Sequence, residues 1–459
     1  MSLHVSSVEL NRTFRRGFTL TFTADLVTKL LSAVTVVVLI RGLTVSAYAY
    51  TTLFLTLAQF AGAAAGGGVR TRYLREEAES LSRGRTAERN GLFATSLLKG
   101  MVLILALGAV VLPVAGPLHL GAKFGAGPGL ILYSVAFAAG FGATELAIAH
   151  YQARRQFGRA GVLAMVRAAA LLLAAALISL THQHVVLLSI FFVTAMVVVG
   201  AVTAVPILRG TVDRRMLRLR VLRFDREESW LSLYYLASAG FAYVDLMVAS
   251  ALLDQQEVAT LGAAVRYLAI VLAAAPSLAA VLRVRTAQSD MIDSPEAQRL
   301  MIVKWMRSGS SMLALALALT ALLARWGIPI LSGGRYPGSV TVFQIFLITA
   351  LSSYVTAPAV SVLMAQRRYS ALAWIFIVGL VANLVGDILV ARPFGVVGIA
   401  VVSTSVYLVL DLVMTVEALR HAAGIGWPRP RISLIRVGEL VIATLLAFGL
   451  AASVAGLTH

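Results

Sequence analysis

The chain has 459 residues, of which 59% are apolar and only 13% charged, and its mean hydropathy is +0.86. A water-soluble fold has no use for so apolar a composition at this length, so the chain reads as an all-α polytopic membrane protein. Its formal charge of +18 falls between the apolar runs, the positive-inside pattern of membrane loops rather than a nucleic-acid surface, and the absence of cysteine excludes disulfides, thiolate chemistry and cysteine metal sites.

The first apolar run lies between Arg16 and Arg41 and is long enough for one membrane-spanning helix. Asp25 and Lys29 sit four apart within it and so share a helix face. Lys29 is close to the midpoint, where a charge costs about 2.5–3.5 kcal/mol on insertion scales. Two readings follow: an intrahelical pair that neutralises itself, or one face of a wet, polar cavity. The run is too long for a cleavable signal peptide.

Hydropathy predicts thirteen spans, at 18–40, 44–68, 92–115, 128–150, 160–180, 185–208, 229–252, 258–282, 308–331, 340–364, 371–391, 395–419 and 435–456. Thirty Lys and Arg fall on one side of this arrangement. Five fall on the other (Arg41, Lys123, Arg325, Arg335, Arg392), and four fall inside spans (Lys29, Lys99, Arg167, Arg266). The richer side is therefore predicted to be cytoplasmic, with the N-terminus inside and the C-terminus outside.

A basic stretch at 209–228 divides the chain. Residues 1–208 form a predicted six-helix bundle, 229–420 a second, and 421–459 an extra C-terminal helix. Six spans is an even number, so both bundles enter from the same side. Two parallel bundles around a central cavity is the expected architecture. The basic stretch interleaves Met216, Leu217, Leu219, Val221, Leu222 and Phe224 with arginine, which suits an interfacial helix on anionic membrane lipids or a solvated linker. Pro276 and Pro358 fall within spans and predict kinks.

Ionisable groups inside spans are candidates for function. Asp245 and Arg266 lie at similar depth, roughly 10–12 Å from the outer side, on consecutive spans, which predicts a pair or shared polar patch. Glu145 and Arg167 match in the same way and are expected to form a structural ion pair. Asn383 and Asp387 are four apart, Asp411 lies on the next span, and Lys99 is near enough to the inner end to snorkel. The sequence holds no Walker A motif, no HExxH and no paired carboxylates on a sizeable outer loop. That argues against an enzyme, and nothing in the pattern implies a cofactor or a metal.

Several segments resemble a known family. RGLTVSAYAYTTLFLTLAQFAG (Arg41–Gly62) and YVDLMVASALLDQQEVATLGAAVRYLAIV (Tyr243–Val271) are similar in helix pattern and turn placement to the polysaccharide transporters of the multidrug/oligosaccharidyl-lipid/polysaccharide flippase superfamily. GGRYPGSVTVFQIFLITALSSYVTAPAVSVLMAQRRY (Gly333–Tyr369) and FGVVGIAVVSTSV (Phe394–Val406) carry the closest likeness. The first segment departs from the family's usual Leu-Gly turn and Gly-Tyr, having Arg41-Gly42 and Ala47-Tyr48, and the helix 7–8 turn is looser in register.

The resemblance implies a twelve-helix core that alternates between inward- and outward-open states and exports a lipid-linked saccharide across the cytoplasmic membrane, with polysaccharide biosynthesis enzymes as partners. In that setting Lys29, Arg41 and Arg266 would neutralise the carrier phosphate, because cationic side chains bind phosphate strongly. Asp25, Asp245 and Asp387 would couple to protons or cations, and Gln59 would offer a polar contact to sugar. Two other readings stand beside it: a drug or cation antiporter of the same superfamily, and a membrane-embedded polymerase or glycosyltransferase.

Overall fold

The computed structural model describes residues 7–82, 91–115, 129–180, 185–211, 224–272, 282, 286 and 294–422. The predicted span at 435–456, Pro276 and most of the basic stretch at 209–228 lie outside the described residues. Those that are described form helices and short turns. In chain order they are α1 (Ser7–Gly42), α2 (Val45–Ser82), α3 (Leu92–Ala115), α4 (Gly129–Ala153), α5 (Phe157–Leu180), α6 (Val185–Thr211) and α7 (Arg226–Leu252). There follow α8 (Gln255–Val271), α9 (Pro295–Ser332), α10 (Ser339–Ala365) and α11 (Tyr369–Ala422). Among them ten are long and apolar enough to cross a membrane. The protein is an all-α, multi-pass membrane protein.

Spans this apolar still contain many hydroxyls, and the helices accommodate them locally. Thr35, Thr51, Thr144, Thr203 and Ser250 each donate to the backbone carbonyl four residues earlier. Each hydroxyl is thereby satisfied without a partner from another helix. Large apolar side chains such as Leu105, Val110, Leu173 and Leu389 point outward and are exposed, as lipid-facing positions should be.

The chain divides into two compact units, 1–239 and 240–459, and the division falls inside α7. In the first unit α1 packs on α5, α2 on α3 and α4, and α4 on α6. The α4–α6 crossing is a backbone-to-backbone contact. A Cβ on Gly200 would stand 2.7 Å from the carbonyl oxygen of Gly140, and one on Gly140 would collide with the backbone of Met196. Only glycine at both positions permits that approach. Nearby, Phe54 meets Phe137 edge-on at 5.7 Å and Phe192 at 6.2 Å, and the Tyr50 hydroxyl hydrogen-bonds Ser189 at 2.5 Å.

In the second unit α10 packs on α8, α9 and α11. The span predicted at 371–391 and that at 395–419 are two arms of α11, joined at an elbow where Gly395 adopts φ 57° and ψ −150°. This backbone region is open to glycine and closed to side chains with a Cβ. A Cβ there would also overlap the Glu257 carboxylate, which accepts a hydrogen bond from the Val396 N–H. Glu257 is in the first turn of α8, whose N-cap Asp254 accepts from the Glu257 N–H at 2.8 Å. A capped helix start thus clamps the elbow from outside.

Pro358 interrupts the hydrogen-bond ladder of α10, freeing the Tyr354 carbonyl. The Trp305 indole N–H donates to that carbonyl at 3.0 Å. The Tyr354 hydroxyl in turn donates to the carbonyl of Val271 at the end of α8.

Candidate functional site

The elbow sets the depth of a polar cluster in the second unit. Asp387 lies eight residues before Gly395 and Ser403 eight residues after it, so the two arms carry them about 12 Å from the bend, at one level. Asp245 lies seven residues before the end of α7 and reaches a comparable depth, roughly 10 Å. The three meet. Asn383 Nδ2 donates to Asp245 Oδ1 at 2.7 Å, and Ser403 Oγ donates to Asp245 Oδ2 at 2.7 Å. Asp387 lies near enough to Asp245 for the two carboxyls to interact electrostatically. Asn383 and Asp387 are fully buried, and Asp245 is 8% exposed.

The donor inventory of this cluster is incomplete. Both oxygens of Asp387 and the amide oxygen of Asn383 are buried without a hydrogen-bond donor. An ionised carboxylate offers only acceptors, and two carboxyls in contact in a low-dielectric interior need a positive charge between them. The set has two carboxyls, an amide oxygen and a hydroxyl. Its chemistry suits a shared proton or a hard monovalent cation with oxygen ligands. Gly379 and Gly386 let the two arms of α11 close on each other, their Cα atoms facing Leu410 and Val402.

A second buried carboxyl lies further along the same arm. Asp411 accepts from Ser352 and from Thr356, the latter at 3.0 Å, and Thr349 and Thr404 bridge α10 and α11 at 3.2 Å. Its two hydroxyl donors leave it satisfied, so it ties the helices together.

The other candidates from the sequence are placed as follows. Asp25 and Lys29 are half-buried on α1, and among the described residues no carboxylate lies within 4.0 Å of the Lys29 ammonium. Gln59 is half-buried in α2, and Arg41 is exposed at the end of α1. Arg266, expected beside Asp245, is half-buried and acts electrostatically on the Tyr243 phenol, while the oxygens of Asp245 are engaged by the neutral groups of α11. Glu145 accepts from Arg167, as expected, and also from Arg70 of α2.

Sequence reasoning missed the charge network at the start of α7. Glu228 has 1% of its side chain exposed and receives both Lys99, at 3.0 and 2.9 Å, and Arg72. Asp225 caps α7, accepting from the Glu228 N–H at 2.7 Å, and pairs with Arg72 at 2.7 Å. Arg75 reaches Glu227 at 2.6 Å. Partial burial works against the charge on Asp225. The Glu228 N–H and then the Arg72 and Lys99 charges outweigh it, holding this carboxyl below its usual value. The signal was present as the EE dipeptide at the predicted start of the seventh span, opposite the basic end of the second.

No protein-family model matches the sequence, and no curated protein matches it. Solved structures do. A lipid II flippase MurJ in an inward closed conformation superposes with a TM-score of 0.69 at 12% identity, over 94% of this chain and 92% of that one. The fold is that of the MOP-superfamily transporters. An inward-facing multidrug resistance MATE family transporter of that superfamily gives 0.67 at 14% identity, over 89% of this chain and 98% of that one. A MATE protein in a bent conformation gives 0.59 at 14% identity, over 90% and 96%.

Proposed function

We propose that this protein is a transporter that flips a lipid-linked saccharide across the cytoplasmic membrane by alternating access, driven by a proton or monovalent cation at Asp245, Asn383, Asp387 and Ser403. The observation that carries the coupling is the pair of buried carboxyls, Asp245 and Asp387, with three oxygens left without donors. Buried ionisable groups within spans mark ion pathways by default, and this one offers acceptors that a proton or cation would satisfy. Lys29, near the midpoint of the first predicted span and without a carboxylate partner among the described residues, is the candidate for the carrier phosphate, with Arg41 and Arg266 in support. The likeness to a lipid II flippase supports a lipid-linked substrate. The distribution of Lys and Arg supports a cytoplasmic N-terminus.

The test is flipping of a fluorescent polyprenyl-pyrophosphoryl oligosaccharide in proteoliposomes under an imposed proton or sodium gradient. Wild type moves it in a gradient-dependent manner. Asp387→Asn and Asp245→Asn lose the gradient dependence, and Lys29→Ala slows movement at least tenfold. Unchanged gradient dependence in both aspartate variants would overturn the coupling site. The comparable likeness to a multidrug transporter favours a second reading, a drug or cation antiporter. Gradient-driven ethidium movement without saccharide movement would select it.

A further inference from the structure

A cleft in the first unit lies between α2, α3 and α4 and is unrelated to the cluster above. It is a shallow groove, open to the surroundings, with only about 20 Å³ of water-sized space within it. Its floor is made by Gly66, Gly100 and Gly142. A Cβ on Gly66 or Gly100 would meet no atom within 4 Å, so these glycines leave room that no helix fills. This differs from Gly140 and Gly200, where the partner backbone takes the room.

The cleft is graded along the helices. Arg70, Glu145 and Ser96 line one end, and Met101 and Ile104 line the other. From Ser96 to Ile104 the rise is about 12 Å. Arg70 is 25 residues from the start of α2, about 38 Å along its axis, beyond the roughly 30 Å of a hydrocarbon core. On α4, Glu145 is 16 residues past the start, about 24 Å, so the charged end lies toward one edge of the hydrocarbon and the apolar end lies deeper. The charges do not cancel. Arg70 and Arg167 share the single carboxylate of Glu145, which leaves one net positive charge. Arg167 is turned inward over the Phe141 ring at 4.7 Å, whereas 37% of the Arg70 side chain is exposed.

We infer that this cleft is a binding site for an anionic phospholipid, its phosphate on Arg70 and one acyl chain over Gly66 and Gly100. Charge complementarity selects the occupant: a net, partly exposed cation toward the edge of the hydrocarbon attracts an anionic headgroup, as basic pockets between membrane helices do. The apolar walls and glycine floor select a chain rather than a soluble anion. The inference does not depend on the proposed substrate.

The experiment uses the purified full-length protein. Native mass spectrometry and thermal unfolding are followed with phosphatidylglycerol, phosphatidylcholine or inorganic phosphate added. Wild type is expected to keep a phosphatidylglycerol adduct and to gain thermal stability from it, at least tenfold below the concentration at which phosphatidylcholine acts, with no response to phosphate. Arg70→Gln should abolish that preference, and Glu145 keeps Arg167 in this variant. Gly100→Leu, or Gly66→Leu should Gly100→Leu fail to fold, fills the floor and should remove the adduct. Equal response to the two lipids, a response to phosphate alone, displacement by lipid-linked saccharide one for one, or wild-type binding in the variants would each overturn the inference.

Discussion

The ammonium of Lys99 donates to both carboxylate oxygens of Glu228, and Arg72 meets the same carboxylate. A carboxylate so enclosed depends on its cations, since breaking a buried pair from one side costs about 3–5 kcal/mol. Lys99→Met should lower the thermal midpoint sharply, and Glu228→Gln should do the same. The double variant should lose clearly less than the sum, because neither change then strands an unpaired charge. A double-mutant cycle on thermal unfolding in detergent measures it.

The glycines sort into two kinds. Gly140→Leu should abolish folding of the first unit, because the α4 and α6 backbones are already in contact. Gly327→Ala, inside α9 with nothing within 4 Å of the new methyl, should stabilise by about 0.5–1 kcal/mol. Expression as a monodisperse species and thermal midpoints separate the two.

Trp305→Phe should cost about 1–3 kcal/mol by stranding the Tyr354 carbonyl freed by Pro358. Pro358→Ala restores the backbone N–H that this carbonyl lacks. The pair Trp305→Phe with Pro358→Ala should therefore recover part of the loss. Failure of Pro358→Ala to lessen the effect of Trp305→Phe would show that the indole matters for packing rather than for that bond.

Two groups outside the spans give opposite pH dependences. Burial and then the Asp254 carboxylate push Glu257 above its ordinary value, against the pull of the Val396 N–H. A raised folded value means its stabilising contribution is present below the unfolded value and is lost as pH rises through the folded one. Thermal stability should fall as pH is raised from about 4 toward neutrality, and Glu257→Gln should flatten that part of the profile.

Asp225 is held below its usual value, so its contribution is present above that value and is lost as pH falls through the lower, folded one. Asp225→Ala removes the cap of α7 and should cost about 1 kcal/mol at neutral pH. It should also remove this acid-sensitive part of the profile below about pH 4. Thermal midpoints measured across pH test both residues together.

The apolar runs made the helices legible, and 371–391 with 395–419 were separable because Pro393 and Gly395 stand between them. Partner choice was less legible. Depth along a helix follows from counting residues, and it put Asp245 level with Arg266. Counting gives height and says nothing of which way a side chain faces around the axis. The partners of Asp245 came instead from a helix 138 and 158 residues further along. Lys99 was expected to reach the inner end of its span, and its ammonium ends there buried on the Glu228 carboxylate instead of in water. A terminal charge in sequence does not disclose whether another helix brings its counter-charge.

The elbow at Gly395 also orders events during synthesis. Asp245 leaves the ribosome 158 residues before Ser403. At about 5–20 residues per second that interval is roughly 10–30 s. For the first 138 of those residues the α7 carboxyl has neither of its final donors, and an aspartate costs up to about 2.5–3.5 kcal/mol to insert, most at the centre of a span. Asn383 and Asp387 arrive on the first arm, but Ser403 cannot join them until the second arm has turned back at Gly395. The polar cluster around Asp245 is therefore complete only when the last arm has closed.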